Sequence, residues 1–166
     1  MKVGIALGSN LGDRLANLDA ARRTIAELPG IISPISSSSV YETEPVDCEP
    51  GAGKFLNAVL EFEYQGEPLE LWPQLKRIEQ NLGRPANHAR NVSRVIDIDL
   101  LYFGETKMES GELVLPHPRI HERRFVLQPL SELDPDLVLP NQKNTVRELL
   151  ASVAGSDKVL RFTRQW

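Results

Sequence analysis

The chain begins with the apolar run Val3-Gly4-Ile5-Ala6-Leu7, which leads into the polar stretch Gly8-Ser9-Asn10-Leu11-Gly12-Asp13. A short apolar run that ends at glycine is typical of a buried strand, and the stretch after it predicts a turn. Asp13 is suited to cap the N-terminus of a helix. The apolar residues that follow recur every three or four positions: Leu15, Leu18, Ala21, Ile25 and Leu28. The start of the chain therefore predicts a strand, a turn and an amphipathic helix.

The next part of the chain continues this alternation of strands and helices. Strands are predicted for Ile31 to Tyr41, with a bend at Pro34, for Phe55 to Tyr64 and for Val95 to Phe103. An amphipathic helix is predicted for Glu67 to Leu82, between the last two of these strands. The order strand, helix, strand, strand, helix, strand favours an α+β fold, a ferredoxin-like α/β sandwich with a mainly antiparallel sheet.

Three smaller elements are predicted after this order is complete. They are a hairpin over Gly104 to Leu115, a short helix over Ile120 to Leu130 and a last helix over Val146 to Val153. The chain has no internal repeat, low-complexity tract or interdomain linker, so we expect residues 1–166 to form a single domain.

Composition excludes several classes of function. Of the 166 residues, 41% are hydrophobic and 25% charged, as in a globular protein, and the net charge of -4 does not favour binding to nucleic acid or to an anionic membrane. The only cysteine, Cys48, excludes an intramolecular disulfide and a cysteine-rich metal site. The apolar run near the N-terminus is too short for a signal peptide. We therefore expect a cytoplasmic protein.

Two polar segments interrupt the predicted elements. Glu44 to Lys54 contains two prolines and two glycines, and Arg84 to Arg94 is also loop-like. Loops of this length inside a compact domain often bind ligands. We predict that both segments border a functional site.

The candidate chemistry is concentrated in Arg94-Val95-Ile96-Asp97-Ile98-Asp99-Leu100-Leu101. Residues two apart on a strand point to the same face, so Asp97 and Asp99 project together. Two carboxylates on an otherwise apolar strand suit Mg²⁺, which commonly binds one or two carboxylates plus substrate phosphates. The alternative is a strand whose polar face is simply solvated, and the spacing alone leaves both interpretations open.

Cationic residues flank the aspartate pair on both sides. Arg84, His88, Arg90 and Arg94 precede the pair, and His117, Arg119, His121, Arg123 and Arg124 follow it. Ordinary salt bridges would explain such a cluster. Arginines beside a carboxylate-bound metal also meet the needs of phosphoryl transfer, because they bind phosphate oxygens and stabilise developing charge. No Walker-type phosphate loop is present, since the turn after the first strand lacks the Gly-Lys-Ser/Thr ending.

Taken in order, these segments resemble the 6-hydroxymethyl-7,8-dihydropterin pyrophosphokinases of folate biosynthesis. The resemblance extends over nearly the whole chain and rests on the following pieces: Ala6–Asp13, Tyr41–Pro45, Phe55–Val59, Arg77–Glu79 through Gly83-Arg84, Arg94–Leu101, Leu115–Arg119, Arg123, Phe125 and Pro129-Leu130. The resemblance implies a ferredoxin-like sandwich that uses ATP and two Mg²⁺ ions. The implied reaction transfers the β,γ-pyrophosphoryl group of ATP to the hydroxymethyl oxygen of the pterin and releases AMP.

The resemblance also implies a role for particular residues. Asp97 and Asp99 would bridge the metal ions, and Arg84 and Arg94 would bind and stabilise the transferring phosphates. The ATP site would further include Glu79, His117 and Arg123. The pterin ring would lie between Phe55 and Phe125, and its edge would be bound by Asn57 and by the backbone near Thr43 and Val46.

Several departures from the common family pattern stand out, among them Ala86 where some members have a further arginine. Many members have Arg-Trp-Gly-Pro-Arg where this chain has Arg90-Asn91-Val92-Ser93-Arg94, so a tryptophan contact that helps to seal the site is missing. Val92 replaces a small residue, and Pro118 stands where some members have tyrosine. We expect the same chemistry with a different nucleotide affinity or loop closure.

Two other functions could use the same candidate residues. A metal-dependent phosphohydrolase would use the same aspartates with water as the nucleophile. A non-catalytic sensor on the same fold would bind a small molecule without turnover. The ordered set of motifs favours the pyrophosphokinase, for which we expect a monomer with ATP and the pterin as its ligands.

Overall fold

The computed structural model of the chain describes residues 1–45, 49–83, 93–111, 113–153 and 158–166. The strands and helices in these ranges are, in chain order, β1 Lys2–Ser9, α1 Arg14–Ala26, β2 Ile31–Ser37, β3 Val40–Thr43, β4 Phe55–Tyr64, α2 Pro68–Asn81, β5 Asp97–Phe103, β6 Met108–Ser110, β7 Leu113–Leu115, α3 Arg124–Leu133, α4 Val146–Ser152 and β8 Val159–Thr163. A short 3-10 helix, Ile120–Glu122, precedes α3. No helix within the described ranges is long and apolar enough to cross a membrane.

The main sheet of the described chain has six strands, and all its neighbouring strands are antiparallel. The strand order is β5-β1-β4-β3-β8, and β2 pairs with the remaining half of β4. Helix α1 therefore connects β1 to a strand on the far side of β4, and α2 connects β4 to a strand on the far side of β1. These two interleaved β-α-β units confirm the predicted ferredoxin-like arrangement.

The two faces of the sheet are covered by different helices. Val3, Ile5 and Leu7 of β1 belong to the apolar cluster that α1 and α2 cover, with Leu18 of α1 and Leu75 of α2. Residues of the opposite face belong to a second cluster with α3 and α4. Each fully buried aliphatic side chain contributes about 1.5–3 kcal/mol relative to an exposed one. The helices on the two faces therefore each have a core of their own.

The face of β1 that α3 and α4 cover is filled at one end and open at the other. A Cβ on Gly4 would lie 2.2 Å from the ring of Tyr102, so this side chain lies directly on the backbone of β1. A Cβ on Gly8 would meet no heavy atom closer than 3.4 Å. The sheet therefore has room for a ligand near Gly8 and none near Gly4.

The strand predicted for Ile31 to Tyr41 is divided in two. The register between β2 and β4 shifts between Ile32 and Ser36, around the predicted bend at Pro34, which has no N–H to donate. The strand is interrupted at Ser38, whose N–H donates to Val59 O at 3.0 Å and whose hydroxyl accepts from Val59 N at 2.9 Å. The side chain thus replaces part of the regular ladder.

The predicted helices agree with the structure except near Ile120. Helix α2 begins one residue later than predicted, and Glu67 forms a capping box with Glu70. The helix predicted for Ile120 to Leu130 is instead a 3-10 helix followed by α3, separated at Arg123, whose backbone is extended. Strand β8 was not predicted, because its five residues are short of a clear alternation and its partner β3 is distant in sequence.

Candidate active site

A cavity of about 160 Å³ lies on the α3 face of the sheet, where β1, β4 and β5 run side by side. Small residues of the central strand, Ala6 and Gly8, line it together with Asn57 of β4 and Asp99 of β5. Because side chains alternate between the faces of a strand, these residues all project to the side opposite the core of α1 and α2. Because Ala6 and Gly8 have little or no side chain, the space above β1, between β4 and β5, stays open.

Asp97 and Asp99 project into this cavity from β5, as the two-residue spacing predicted. Their side chains are 23% and 32% exposed, so ligands can reach them. Asp97 Oδ2 lies 3.5 Å from Arg94 Nε, and Asp99 Oδ2 lies 3.5 Å from Arg123 Nη1. Both ion pairs are long, so neither guanidinium occupies its carboxylate at close range.

The chemistry of these donors fits magnesium rather than a metal held by protein alone. Within the described ranges, no group of three or more His, Cys, Asp or Glu residues could hold a metal ion. Mg²⁺ does not need such a group, because it commonly binds through one or two carboxylates and completes its shell with water and phosphate oxygens. Asp97 and Asp99 therefore fit an ion that a phosphate-bearing ligand would share.

A partly buried ion pair on α2 holds the backbone of β5 between the two aspartates. Glu79 Oε1 accepts a hydrogen bond from Ile98 N at 2.5 Å, and Lys76 Nζ donates to Ile98 O at 2.9 Å. Lys76 Nζ and Glu79 Oε2 are 3.1 Å apart. Strand β5 lies at the edge of the sheet, so this side of Ile98 has no strand partner in the described chain. The pair supplies the missing hydrogen bonds and fixes the direction of both aspartates.

The resemblance assigns Glu79 to the ATP site, and the structure shows where its side chain lies. Glu79 is buried and is not among the residues that line the cavity. The structure thus places Glu79 in the contact between α2 and β5, and its assignment to the ATP site stays a prediction. The missing information was tertiary, because helical periodicity cannot show which backbone group a buried carboxylate meets.

Each of two arginines joins a carboxylate of the cavity to an aromatic ring. The guanidinium carbon of Arg94 lies 5.4 Å from the centre of the Phe55 ring, and that of Arg123 lies 5.7 Å from the centre of Phe125. Contacts of this kind contribute about 0.5–1 kcal/mol. Arg94 Nε is buried and has no hydrogen-bond partner within the described residues. Both arginines are thus oriented, and Arg94 keeps a free donor.

Four of the five residues predicted to bind a pterin lie together in this cavity, and the fifth is outside the described ranges. Thr43, Phe55, Asn57 and Phe125 all line it. Asn57 Nδ2 donates to Thr43 Oγ1 at 2.8 Å, which fixes the direction of the amide. An oriented amide next to aromatic rings offers both a donor and an acceptor to the edge of a flat heterocycle. Val46 lies outside the described residues.

His117 is affected by the charge of Asp99 but is not among the residues that line the cavity. The backbone N–H of His117 donates to Leu101 O at 2.7 Å. Its imidazole Nδ1 accepts a hydrogen bond from the backbone N–H of Arg119 at 3.2 Å. Burial lowers the pKa of His117 and outweighs the raising effect of the Asp99 charge, while the Arg123 charge lowers the pKa further. The imidazole is therefore neutral at pH 7, and its proton is on Nε2, where it can be donated.

Four charged residues of the cavity were not assigned to it from the sequence. They are Glu44, Arg119, Glu122 and Arg124. Arg124 Nε is buried and unpartnered within the described part of the chain. Arg119 and Arg124 belong to the cationic cluster noted in the sequence, but their orientation depends on where α3 begins. Arg84, His88, Arg90, Asn91 and Val92 lie outside the described residues.

Asn10 joins the ends of the two predicted binding loops. Its side-chain Nδ2 donates to Gly53 O at 3.2 Å, and its Oδ1 accepts from Arg94 N at 2.8 Å. Asn10 is 6% exposed, so these hydrogen bonds are largely shielded from water. The turn predicted after β1 thus connects the segments that carry Arg94 and Phe55.

Comparison with known proteins adds to this geometry. A family model described as 7,8-dihydro-6-hydroxymethylpterin-pyrophosphokinase (HPPK) matches residues 4–135. Two 2-amino-4-hydroxy-6-hydroxymethyldihydropteridine pyrophosphokinases are similar to the chain. The one from Bacillus subtilis is 41% identical over 78% of this chain and 75% of its own length. The one from Haemophilus influenzae is 36% identical over 90% of this chain and 91% of its own length.

Larger proteins also match. A folate synthesis bifunctional protein of Arabidopsis thaliana is 42% identical over 80% of this chain, and the chain spans only 27% of its length. A crystal structure described as HPPK-DHPS in complex with substrates superposes with a TM-score of 0.74 at 13% identity, over 91% of this chain and 43% of that one. At that identity the superposition supports the fold alone.

Proposed function

Because the chain belongs to the 7,8-dihydro-6-hydroxymethylpterin-pyrophosphokinase family, we infer that it transfers a pyrophosphoryl group to 6-hydroxymethyl-7,8-dihydropterin in folate biosynthesis. The observation that carries this inference is one cavity that contains two aromatic rings, four arginines and two neighbouring aspartates. A phosphohydrolase would not need the aromatic rings, and a sensor would not need both aspartates. Neither alternative is favoured.

We propose that the donor is ATP, that its β,γ-pyrophosphoryl group is transferred, and that AMP is released. The hydroxymethyl oxygen of the pterin forms a bond to the β-phosphorus. The bond from that phosphorus to the oxygen bridging the α- and β-phosphates breaks, its electron pair leaves with AMP, and the hydroxyl proton passes to solvent. This step changes no side chain of the cavity chemically. The residues of the cavity would therefore act by positioning the substrates and by electrostatic stabilisation.

Phe55 and Phe125 are proposed to hold the pterin ring. Offset stacking of a flat heterocycle on aromatic rings contributes about 0.5–1.5 kcal/mol beyond burial. The amide of Asn57, oriented by Thr43, would hydrogen-bond to the edge of the ring. These contacts would fix the hydroxymethyl group on the side of the cavity where β5 lies. Val46 is assigned to this site from the family resemblance alone.

Asp97 and Asp99 are proposed to hold magnesium, with two ions as the family resemblance implies. Bound there, magnesium would neutralise the phosphate oxygens of ATP and favour charge on the leaving group. Arg94 and Arg123 would bind the same oxygens from either side, and Arg84 would join them. His117, neutral and protonated on Nε2, would donate one further hydrogen bond. Glu79 would act through β5, since its carboxylate holds Ile98.

The test is to incubate the purified chain with MgATP, with and without 6-hydroxymethyl-7,8-dihydropterin, and to separate the nucleotides. We expect AMP to appear in step with the pterin pyrophosphate and only when the pterin is present. ADP or free phosphate formed without the pterin would indicate a phosphohydrolase. Binding of the pterin without turnover would indicate a sensor. The single domain over residues 1–166, the monomeric state and the cytoplasmic location remain predictions.

A further inference from the structure

The proposed function depends on where the guanidinium of Arg94 lies, yet Arg94 belongs to neither a helix nor a strand. Its side chain contacts the Phe55 ring at 5.4 Å and Asp97 at 3.5 Å, so it lies between a residue proposed to bind the pterin and one proposed to hold magnesium. Long side chains lose their position easily when the backbone below them moves. The backbone at residues 93 and 94 must therefore be held by other parts of the chain.

Two residues from separate segments hold this backbone. Asn10 accepts from Arg94 N at 2.8 Å, donates its own N–H to Arg94 O at 3.2 Å, and donates from Nδ2 to Ser93 Oγ at 3.2 Å. Glu49 Oε1 accepts from Ser93 N at 2.8 Å. Residues 10, 49 and 93 are far apart in sequence, so these bonds are tertiary contacts.

Glu49 is suited to this role by its charge. Hydrogen bonds from Ser93 hold the pKa of Glu49 below its ordinary value, with a smaller contribution from the Arg94 charge. The carboxylate is therefore ionised at neutral pH, and a hydrogen bond to an ionised acceptor is stronger than one between neutral groups. Its other oxygen, Oε2, is buried without a hydrogen-bond partner in the described part of the chain. Glu49 does not line the cavity, so it acts through Ser93 and Arg94.

We propose that Glu49 is a positioning residue for Arg94: through the backbone of Ser93 it keeps the guanidinium between the Phe55 ring and Asp97. This role rests on the proposed function of the cavity. It also depends on serine at position 93, because the proline found there in the common family pattern has no N–H to donate. The contact is thus a feature of this chain, which departs from that pattern over Asn91, Val92 and Ser93.

The test is a double-mutant cycle between Glu49 and Arg94 in the full chain. Glu49→Ala should lower kcat about tenfold, the typical loss for one charge-assisted hydrogen bond, with a smaller change in the KM for the pterin. Glu49→Gln retains an acceptor oxygen without the charge and should show a loss between those of the wild type and Glu49→Ala. In an Arg94→Ala background, Glu49→Ala should cause no further loss. Glu109→Ala, on the exposed strand β6, is the matched control and should match the wild type.

A second pair of variants tests the donor side. Ser93→Pro removes the N–H and should reproduce the loss of Glu49→Ala, and combining the two should cost no more than either alone. Ser93→Ala keeps the N–H and should lose less. If Glu49→Ala equals the wild type, or if its loss simply adds to that of Arg94→Ala, the proposal is wrong.

Binding of magnesium α,β-methylene-ATP, measured by calorimetry, separates this proposal from the proposed function. Glu49→Ala should weaken binding in the presence of Arg94 and leave it unchanged in the Arg94→Ala protein. If the wild type makes no pterin-dependent AMP but this coupling is seen, the reaction is wrong and the positioning role stands. Absence of coupling overturns the positioning role whatever the reaction. Circular dichroism at each step confirms that the variants are folded, and the cycle then uses only folded proteins.

Discussion

At the scale of single residues, the carboxylates of Asp97 and Asp99 on β5 are the groups proposed to hold magnesium. Asp97→Asn keeps the shape of the side chain and removes its charge, so it should lower kcat at saturating magnesium by about 100-fold or more, as expected for loss of one electrostatic contact to the reacting phosphates. The measurement is AMP release in the presence of the pterin.

The matched control for this change is Asp19→Asn. Asp19 pairs with Arg22 and Arg23 on α1 and does not line the cavity. The activity of the Asp19→Asn protein should therefore stay within about twofold of the wild type. Near-full activity of Asp97→Asn at saturating magnesium would contradict the proposed metal site. A loss shared equally by Asp19→Asn would point to a general effect of charge instead.

Gly8 provides a test of the space in the cavity. A Cβ there would lie 3.4 Å from Asn57 Oδ1, 3.8 Å from Phe55 Cδ1 and 3.9 Å from Asp97 Cβ, which are ordinary contact distances. Gly8→Ala should therefore fold and retain activity. The branched side chain of Gly8→Val should enter the space beside Asn57 and raise the KM for the pterin about tenfold, the loss of roughly 1.4 kcal/mol of binding. An unchanged KM in Gly8→Val would place the pterin elsewhere.

At the scale of elements, the ion pair on α2 explains how an edge strand keeps two carboxylates in register. Lys76→Met would remove the donor to Ile98 O and leave Glu79, which is 4% exposed at its side chain, with one fewer counter-ion. We expect the free energy of unfolding to fall by about 1–3 kcal/mol. Urea denaturation measures this change.

Arg77→Met is the control on the same helix. Arg77 is exposed on α2, and such substitutions usually change stability by less than about 0.5 kcal/mol. Equal losses for the two variants would show that charge on α2, rather than the contact with Ile98, matters. A loss confined to Lys76→Met, together with lower activity, would support a role of α2 in holding the aspartates.

The sequence predicted most of the elements because each has a local signal. Helix α2 has an apolar stripe, and β1 is an apolar run that ends at glycine. The break at Ser38 and the strand β8 were missed, because both depend on partners distant in sequence. In the same way, the two-residue spacing placed Asp97 and Asp99 on one face, whereas no local pattern could show that Glu79 meets Ile98.

At the scale of the whole molecule, Glu132 of α3 ties the helical layer to the sheet where β2 and β3 separate. It accepts hydrogen bonds from Ser39 N at 2.7 Å, from Tyr41 Oη at 2.6 Å and from Arg161 Nη2 at 2.8 Å. Burial raises the pKa of Glu132, but these hydrogen bonds together lower it more, so it lies below its ordinary value of 4.5. The ionised form is therefore favoured by folding.

This shift predicts how the stability of the protein depends on pH. A carboxylate whose pKa is lowered by folding adds stability above its unfolded pKa, and that stability is lost as the pH falls through the folded value. Glu132→Gln should therefore be about 1–2 kcal/mol less stable than the wild type at pH 7, and the gap should close as the pH falls below 4.5. Urea denaturation at several pH values measures both curves, with the exposed Glu27→Gln as the control. A gap that does not change with pH would mean that the contact depends on shape rather than on the charge of Glu132.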